Sequence, residues 1–235
     1  RCNVIRCAVC RTGKSTSRTS YNPSVRWTVL IPARSLPEAK SRLLGAVGGA
    51  ADLDLHHRLV LAIRSDTLEA ARSAPGVARV VVVSDRPLPA GPDRVFVQRS
   101  PGLNAALAEA AADATARWPH DAIAALLGDL PALRPEELAG TLAQAACTAR
   151  GYVPDADGTG TTLLTVHPGV PLAPAFGAGS AARHALTADV LDAGPGLRRD
   201  VDTARDLEQA AAHGLGPATR ALLDCLASSP VPPDL

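Results

Sequence analysis

Asp129 ends an uninterrupted apolar run, Ala122-Ile123-Ala124-Ala125-Leu126-Leu127, and stands between Gly128 and Pro131. An aspartate after a strand commonly caps the next helix. Here the next helical pattern opens only at Pro135-Glu136-Glu137, too far on for that role. Asp129 therefore reads as a carboxylate that holds something, most simply a metal ion. A second acidic pair, Asp200 and Asp202, is separated by one residue. On an extended chain residues i and i+2 face the same way, with Cα atoms roughly 6–7 Å apart. Together with Asp129 they make an all-oxygen ligand set of the kind Mg²⁺ prefers. The competing reading is that Asp202 or Thr203 caps a helix over 203–212.

Two further stretches suit anions. In Pro32–Arg42, backbone amides at a helix start, with Arg34, Lys40 and Arg42, fit a polyphosphate, although a short Lys/Arg group is also an ordinary solvated helix face. The dinucleotide fingerprint G-x-G-x-x-G is absent there, which removes the main support for a nicotinamide or flavin enzyme. The other stretch is split between Asp157-Gly158-Thr159-Gly160-Thr161-Thr162 and Phe176-Gly177-Ala178-Gly179-Ser180. Glycines let backbone approach a ligand closely, hydroxyls suit a small phosphate or carboxylate, and Ser180 opening a helix adds a favourable dipole. His184 reads as an ordinary polar helix residue, and none of the six histidines has metal-ligand spacing. Cys2, Cys7 and Cys10 echo an iron–sulfur spacing whose fourth ligand would have to be Cys147 or Cys225, but an odd, scattered set without an export signal reads as reduced thiols. Ala8–Ser15 resembles a P-loop, yet no helix-forming segment follows it.

The elements that must position these groups alternate. Strands are expected at Trp27–Ile31, Arg79–Ser84, Arg94–Gln98 and Ala122–Leu127, then near Tyr152 and at Leu163–Val166, with an extended piece at Ala188–Leu191. Helices are expected at Glu38–Leu44, Ala51–Arg72, from Pro101 to Arg117, at Pro135–Arg150, after Ser180, and at Thr203–Ala212 and Pro217–Leu226. Six apolar residues without alternation mean a strand covered on both faces. The order as a whole predicts a single-domain α/β fold, a doubly wound and mostly parallel sheet, with Asp129 at the carboxyl edge where ligands bind. Residues 1–26 are expected to be a flexible basic extension, 27–228 the domain and 229–235 a tail.

Composition bounds the function. At 235 residues and 46% hydrophobic the chain can bury one core, and with only 3% aromatic residues that core must be Ala, Val and Leu. A net charge of +1 gives no field for nucleic acid or anionic membrane. The balance is uneven, because residues 1–26 hold six basic residues and no acid. No stretch approaches a membrane span and the start lacks a secretory pattern, so a cytoplasmic protein is expected.

Five motifs in order, Leu30-Ile31-Pro32-Ala33-Arg34 with Ala39-Lys40-Ser41-Arg42-Leu43, Gly128-Asp129-Leu130-Pro131, Asp157–Thr161, Phe176-Gly177 through Ser180 to Arg183-His184, and Leu197 through Asp200 to Thr203, resemble the guanylyltransferases of deazaflavin coenzyme F(420) biosynthesis. The resemblance runs from about Trp27 to Leu226, and that family is itself similar to the nucleotide-diphospho-sugar transferase-like nucleotidyltransferases. It implies GTP and phosphoenolpyruvate as substrates, with 2-phospho-L-lactate or a molybdopterin-like acceptor as alternatives. It further implies Mg²⁺ held by Asp129 and Asp200 with Asp202 in support, and Lys40 as a catalytic and nucleotide-binding cation. Arg34 and Asn104 would lie on the nucleotide side, and Thr161, Gly177 and Ser180 would hold the phosphoenolpyruvate end. A non-catalytic nucleotide-binding module is the rival from another class.

Overall fold

The computed structural model describes residues 25–33, 53–88, 91 and 93–228. Arg34, Lys40 and Arg42, the helix expected at 38–44, the three N-terminal cysteines, the P-loop-like segment and residues 229–235 lie outside the described residues. Among those described, seven strands form one sheet in the order β3-β2-β1-β4-β6-β5-β7: β1 Trp27–Ala33, β2 Val77–Ser84, β3 Arg94–Val97, β4 Ala122–Leu126, β5 Arg150–Pro154, β6 Thr161–Val166 and β7 Asp189–Val190. The helices are α1 Leu53–Ser73, α2 Leu103–Arg117, α3 Pro135–Ala145, α4 Ser180–Ala185, α5 Pro195–Arg198, α6 Ala204–Ala212 and α7 Pro217–Ala227.

The apolar runs explain the layering. Along β1 and β4 alternate side chains enter opposite cores: Val29, Ile31, Ala124 and Leu126 meet α1, α3 and α5 on one face. Leu30, Ile123 and Ala125 meet α2 on the other. A strand that must bury both faces loses its polar alternation, as the sequence of β4 shows. On α2 the sheet-facing residues are Ala106, Leu107, Ala110, Ala111 and Ala114, and such small side chains let helix and sheet approach closely. α6 and α7 pack outside the sheet layers, where Leu207, Ala210 and Leu222 cover Leu55, Leu59 and Ile63.

Buried Asp66 on α1 accepts the backbone N–H groups of Ala218 (2.9 Å) and Thr219 (2.8 Å), the first turn of α7. It joins two helices far apart in sequence by capping one of them. Asp66→Ala leaves those donors unmatched and is expected to lower the unfolding free energy by about 2 kcal/mol, measured by denaturant titration.

The α/β class and mostly parallel sheet hold, with one departure: β6 runs antiparallel to both β4 and β5, while β1–β2, β1–β4, β2–β3 and β5–β7 are parallel. Its six residues are all buried, so the pattern carries no sign of direction. The helix expected to reach Arg150 ends at Ala145, because Arg150 already pairs with Val166 in the sheet. Just before β1, Val25 packs on the core and the Arg26 carbonyl accepts the N–H of Ala122 at 2.9 Å. No described helix is long and apolar enough to cross a membrane.

Candidate active site

Strand order reverses between β1 and β4, since β2 and β3 lie to one side of β1 and β4 to the other. Loops leaving the carboxyl ends of two such strands part in opposite directions and leave a crevice. A cavity of about 490 Å³ opens there, with Pro32 and Ala33 from β1 and Leu127, Gly128 and Asp129 after β4 in its wall. Because β6 is reversed, its first residue, Thr161, reaches the same edge, and Leu127 N–H donates to the Thr162 carbonyl at 2.9 Å. Asp155, Gly177, Ser180, Asp200 and Asp202 complete the polar wall.

The acidic side is held by backbone. A Cβ on Gly128 would lie 2.9 Å from the Pro32 carbonyl oxygen, so only glycine lets the β4 loop cross β1 this closely. Leu130 N–H donates to buried Thr67 Oγ1 at 3.0 Å, and Thr67 itself donates to the Ile63 carbonyl at 3.1 Å. Val201 N–H donates to the Asp129 carbonyl at 3.1 Å, which brings the 200–202 segment against the Asp129 loop. Val201 is buried while its neighbours Asp200 and Asp202 both face the cavity. The cap of α6 is Thr203, in a reciprocal capping box with Asp206, so the Asp202 side chain is not the cap.

Asp129, Asp200 and Asp202 therefore line one cavity, yet no group of three or more His, Cys, Asp or Glu side chains converges as a ready metal-ligand set among the described residues. The donor set still fits Mg²⁺. That ion keeps several waters and is commonly held by one or two carboxylates plus substrate phosphates. Asp155, which the sequence reading did not single out, accepts Thr159 N–H (2.9 Å) and Gly160 N–H (2.7 Å) and shapes the turn before Thr161. Arg198 braces the same turn through the carbonyls of Pro154 (3.2 Å) and Asp155 (2.9 Å).

The hydroxyl side is more enclosed. Thr161, Ser180 and His184 are 3%, 1% and 2% exposed. Ser180 Oγ lies 3.1 Å from Thr161 Oγ1, Thr161 Oγ1 lies 2.8 Å from His184 Nδ1, and Ala175 N–H donates to His184 Nε2 at 3.0 Å. Gly177 adopts φ +117°, a conformation that side chains resist, and places its backbone in the wall. The first amides of α4 are already used, Ser180 N–H on the Gly177 carbonyl at 3.0 Å and Ala181 N–H on the Thr159 carbonyl at 3.1 Å. Those two amides are therefore committed within the protein.

Asn104, expected on the nucleotide side, turns its amide to the Phe176 backbone, accepting from its N–H at 2.8 Å and donating to its carbonyl at 3.1 Å. It holds the loop that carries Gly177. Burial, with the positive charges of Arg183 and Arg150, pushes the His184 pKa below the ordinary value of 6.5. The ring is neutral at physiological pH. The unfolded chain takes up this proton near pH 6.5 and the folded chain only lower, so the contribution is complete above 6.5 and is lost as pH falls through the folded value. Melting curves between about pH 5 and 7.5 should show a steeper acid decline for the wild type than for His184→Gln.

Arg64 on α1 is the single basic side chain among the described residues of the wall, and it was missed because nothing in its spacing separates it from an ordinary amphipathic-helix arginine. Burial draws its pKa down and the charge of Asp85 opposes that, yet a guanidinium stays protonated.

No family model matches the chain. Among curated proteins, the phosphoenolpyruvate guanylyltransferase of Geodermatophilus obscurus is 50% identical over 206 residues, covering 84% of this chain and 94% of its own. That of Streptomyces coelicolor is 49% identical over 207 residues, covering 84% and 96%. Among solved structures, a protein from Desulfovibrio desulfuricans G20 provisionally named a nucleotide-diphospho-sugar transferase superposes with TM-score 0.62 at 16% identity, covering 86% of this chain and 96% of that one. A Mycobacterium tuberculosis protein solved in complex with manganese gives TM-score 0.52 at 21% identity, covering 80% and 98%. The two structures share the fold of this chain.

Proposed function

This chain belongs to the phosphoenolpyruvate guanylyltransferase family, and on that premise we propose that it transfers GMP from GTP to the phosphate of phosphoenolpyruvate, giving enolpyruvoyl-diphospho-guanosine and pyrophosphate, as a cytoplasmic step of deazaflavin coenzyme F(420) biosynthesis. The observation that carries the reading is the cavity at the sheet's switch point, which joins an acidic wall from Asp129 and Asp200 to a hydroxyl wall from Thr161 and Ser180.

The chemistry asks little covalent work of the protein. A phosphate monoester is largely dianionic at neutral pH, so it attacks the α-phosphorus of GTP without a general base. That suits a cavity wall whose described residues include no His or Cys nucleophile. The obstacle is repulsion between two anions. A divalent metal bound here, Mg²⁺ in this reading, supplies charge neutralisation and alignment of the displacement. Asp129 and Asp200 would hold it, with Asp202 in support. Thr161 and Ser180 hold the acceptor's oxygens by hydroxyl donors, and Gly177 allows the acceptor to approach the backbone. Arg64 adds positive charge from α1, and Arg34 and Lys40 serve the nucleotide's phosphates.

A coupled pyrophosphate-release assay crossing GTP or ATP with phosphoenolpyruvate or 2-phospho-L-lactate tests this. Release with GTP and phosphoenolpyruvate is the expected result. GTP binding with no release under any pairing would overturn the enzymatic reading, and release with phospholactate alone would replace the acceptor.

A further inference from the structure

Resting on the reading of Thr161 and Ser180 as acceptor-site donors, we propose that His184 is a positioning residue that aims a hydroxyl proton of this pair into the cavity. A neutral imidazole carries one N–H, on Nδ1 or Nε2. Ala175 N–H points at Nε2 from 3.0 Å, so that nitrogen supplies a lone pair and the ring proton resides on Nδ1. Nδ1–H then donates to Thr161 Oγ1 across 2.8 Å.

The consequence follows from counting protons. Thr161 and Ser180 have two hydroxyl protons between them, and their 3.1 Å contact uses one. If Ser180 donates to Thr161, the Thr161 proton remains; if Thr161 donates to Ser180, the Ser180 proton remains. Both residues line the cavity, so either arrangement leaves an O–H for an anionic oxygen. The opposite tautomer reverses this outcome. An unprotonated Nδ1 would accept the remaining proton, and the wall would turn lone pairs toward a phosphate or carboxylate. With the pair and the ring almost wholly buried, bulk water does not set the choice. The Ala175 amide does, and the Phe176 ring, edge-on to the imidazole at 5.3 Å, and Tyr152, at 6.2 Å, pack the ring in place.

The two ring nitrogens can be tested apart. His184→Asn keeps a donor where Nδ1 stands and loses the group facing Ala175, whereas His184→Gln keeps a group near Ala175 and loses the donor to Thr161. We expect H184N to hold the acceptor KM within about threefold of wild type and H184Q to raise it about tenfold, the scale of one hydrogen bond to a charged group, with the GTP KM unchanged in both. In a Thr161→Val background H184Q should add nothing further, because the path to the substrate is already cut. Equal rises in both KM values, additive effects of H184Q and T161V, or an H184N effect as large as that of H184Q would overturn the proposal. Nitrogen-15 NMR of the ring in the wild-type protein needs neither variants nor substrate. A protonated Nδ1 and bare Nε2 are expected, and a protonated Nε2 would sink the idea by itself. Wild-type pyrophosphate release is the separate control on the function it rests on.

Discussion

Asp129→Asn and Asp200→Asn should each lower turnover by about 10²–10³, the usual cost of removing one well-placed electrostatic stabiliser, at unchanged melting temperature. The Asp129 segment is fixed by Leu130 N–H on Thr67 and by Val201 N–H on the Asp129 carbonyl, and neither bond uses a carboxylate. An amide of the same shape keeps both of these backbone bonds and removes the charge. The check is steady-state turnover at saturating Mg²⁺ beside a thermal melt. Near-normal turnover in either variant would remove that aspartate from the metal site.

Thr161→Val and Ser180→Ala should each raise the KM for phosphoenolpyruvate by about 5- to 150-fold, equivalent to ~1–3 kcal/mol for a charged acceptor left without its donor, with a much smaller effect on GTP. Both side chains are buried in contact with one another, and both line the cavity. If instead the GTP KM rises and the acceptor's does not, the two halves of the cavity are assigned the wrong way round.

Much of this arrangement is written locally in the chain. The β4 run announces a strand covered on both faces, and Gly128-Asp129 followed by Pro131 announces a carboxylate at its end, because both signals depend on residues adjacent in sequence. The direction of β6 is not written there: Thr161–Val166 is equally buried whichever way it runs, and only the β4 and β5 pairings decide. The short α5, four residues opening with Pro195-Gly196, is beneath the length at which a period can be read. Asp202 and Thr203 competed for one cap, and the side chain of Asp206, three residues on, resolved it. His184 looked ordinary since its partners, Thr161 and Ala175, sit on other elements. Asn104 was assigned to the nucleotide side by the family resemblance alone, and its amide partner Phe176, 72 residues on, could not be read from the sequence.

The reversal of β6 also bears on the order in which the chain can assemble. β5 and β6 are antiparallel neighbours joined by the tight 155–160 turn, so their pairing closes a short loop. The β1–β2 and β1–β4 pairings are parallel and join segments far apart in the chain, and each must close a long loop before contacts repay the lost entropy. The hydroxyl wall thus begins on a hairpin that can nucleate by itself, while the acidic wall waits for the central parallel strands. Pulsed hydrogen exchange during refolding would register amide protection across β5 and β6 ahead of β1 and β4.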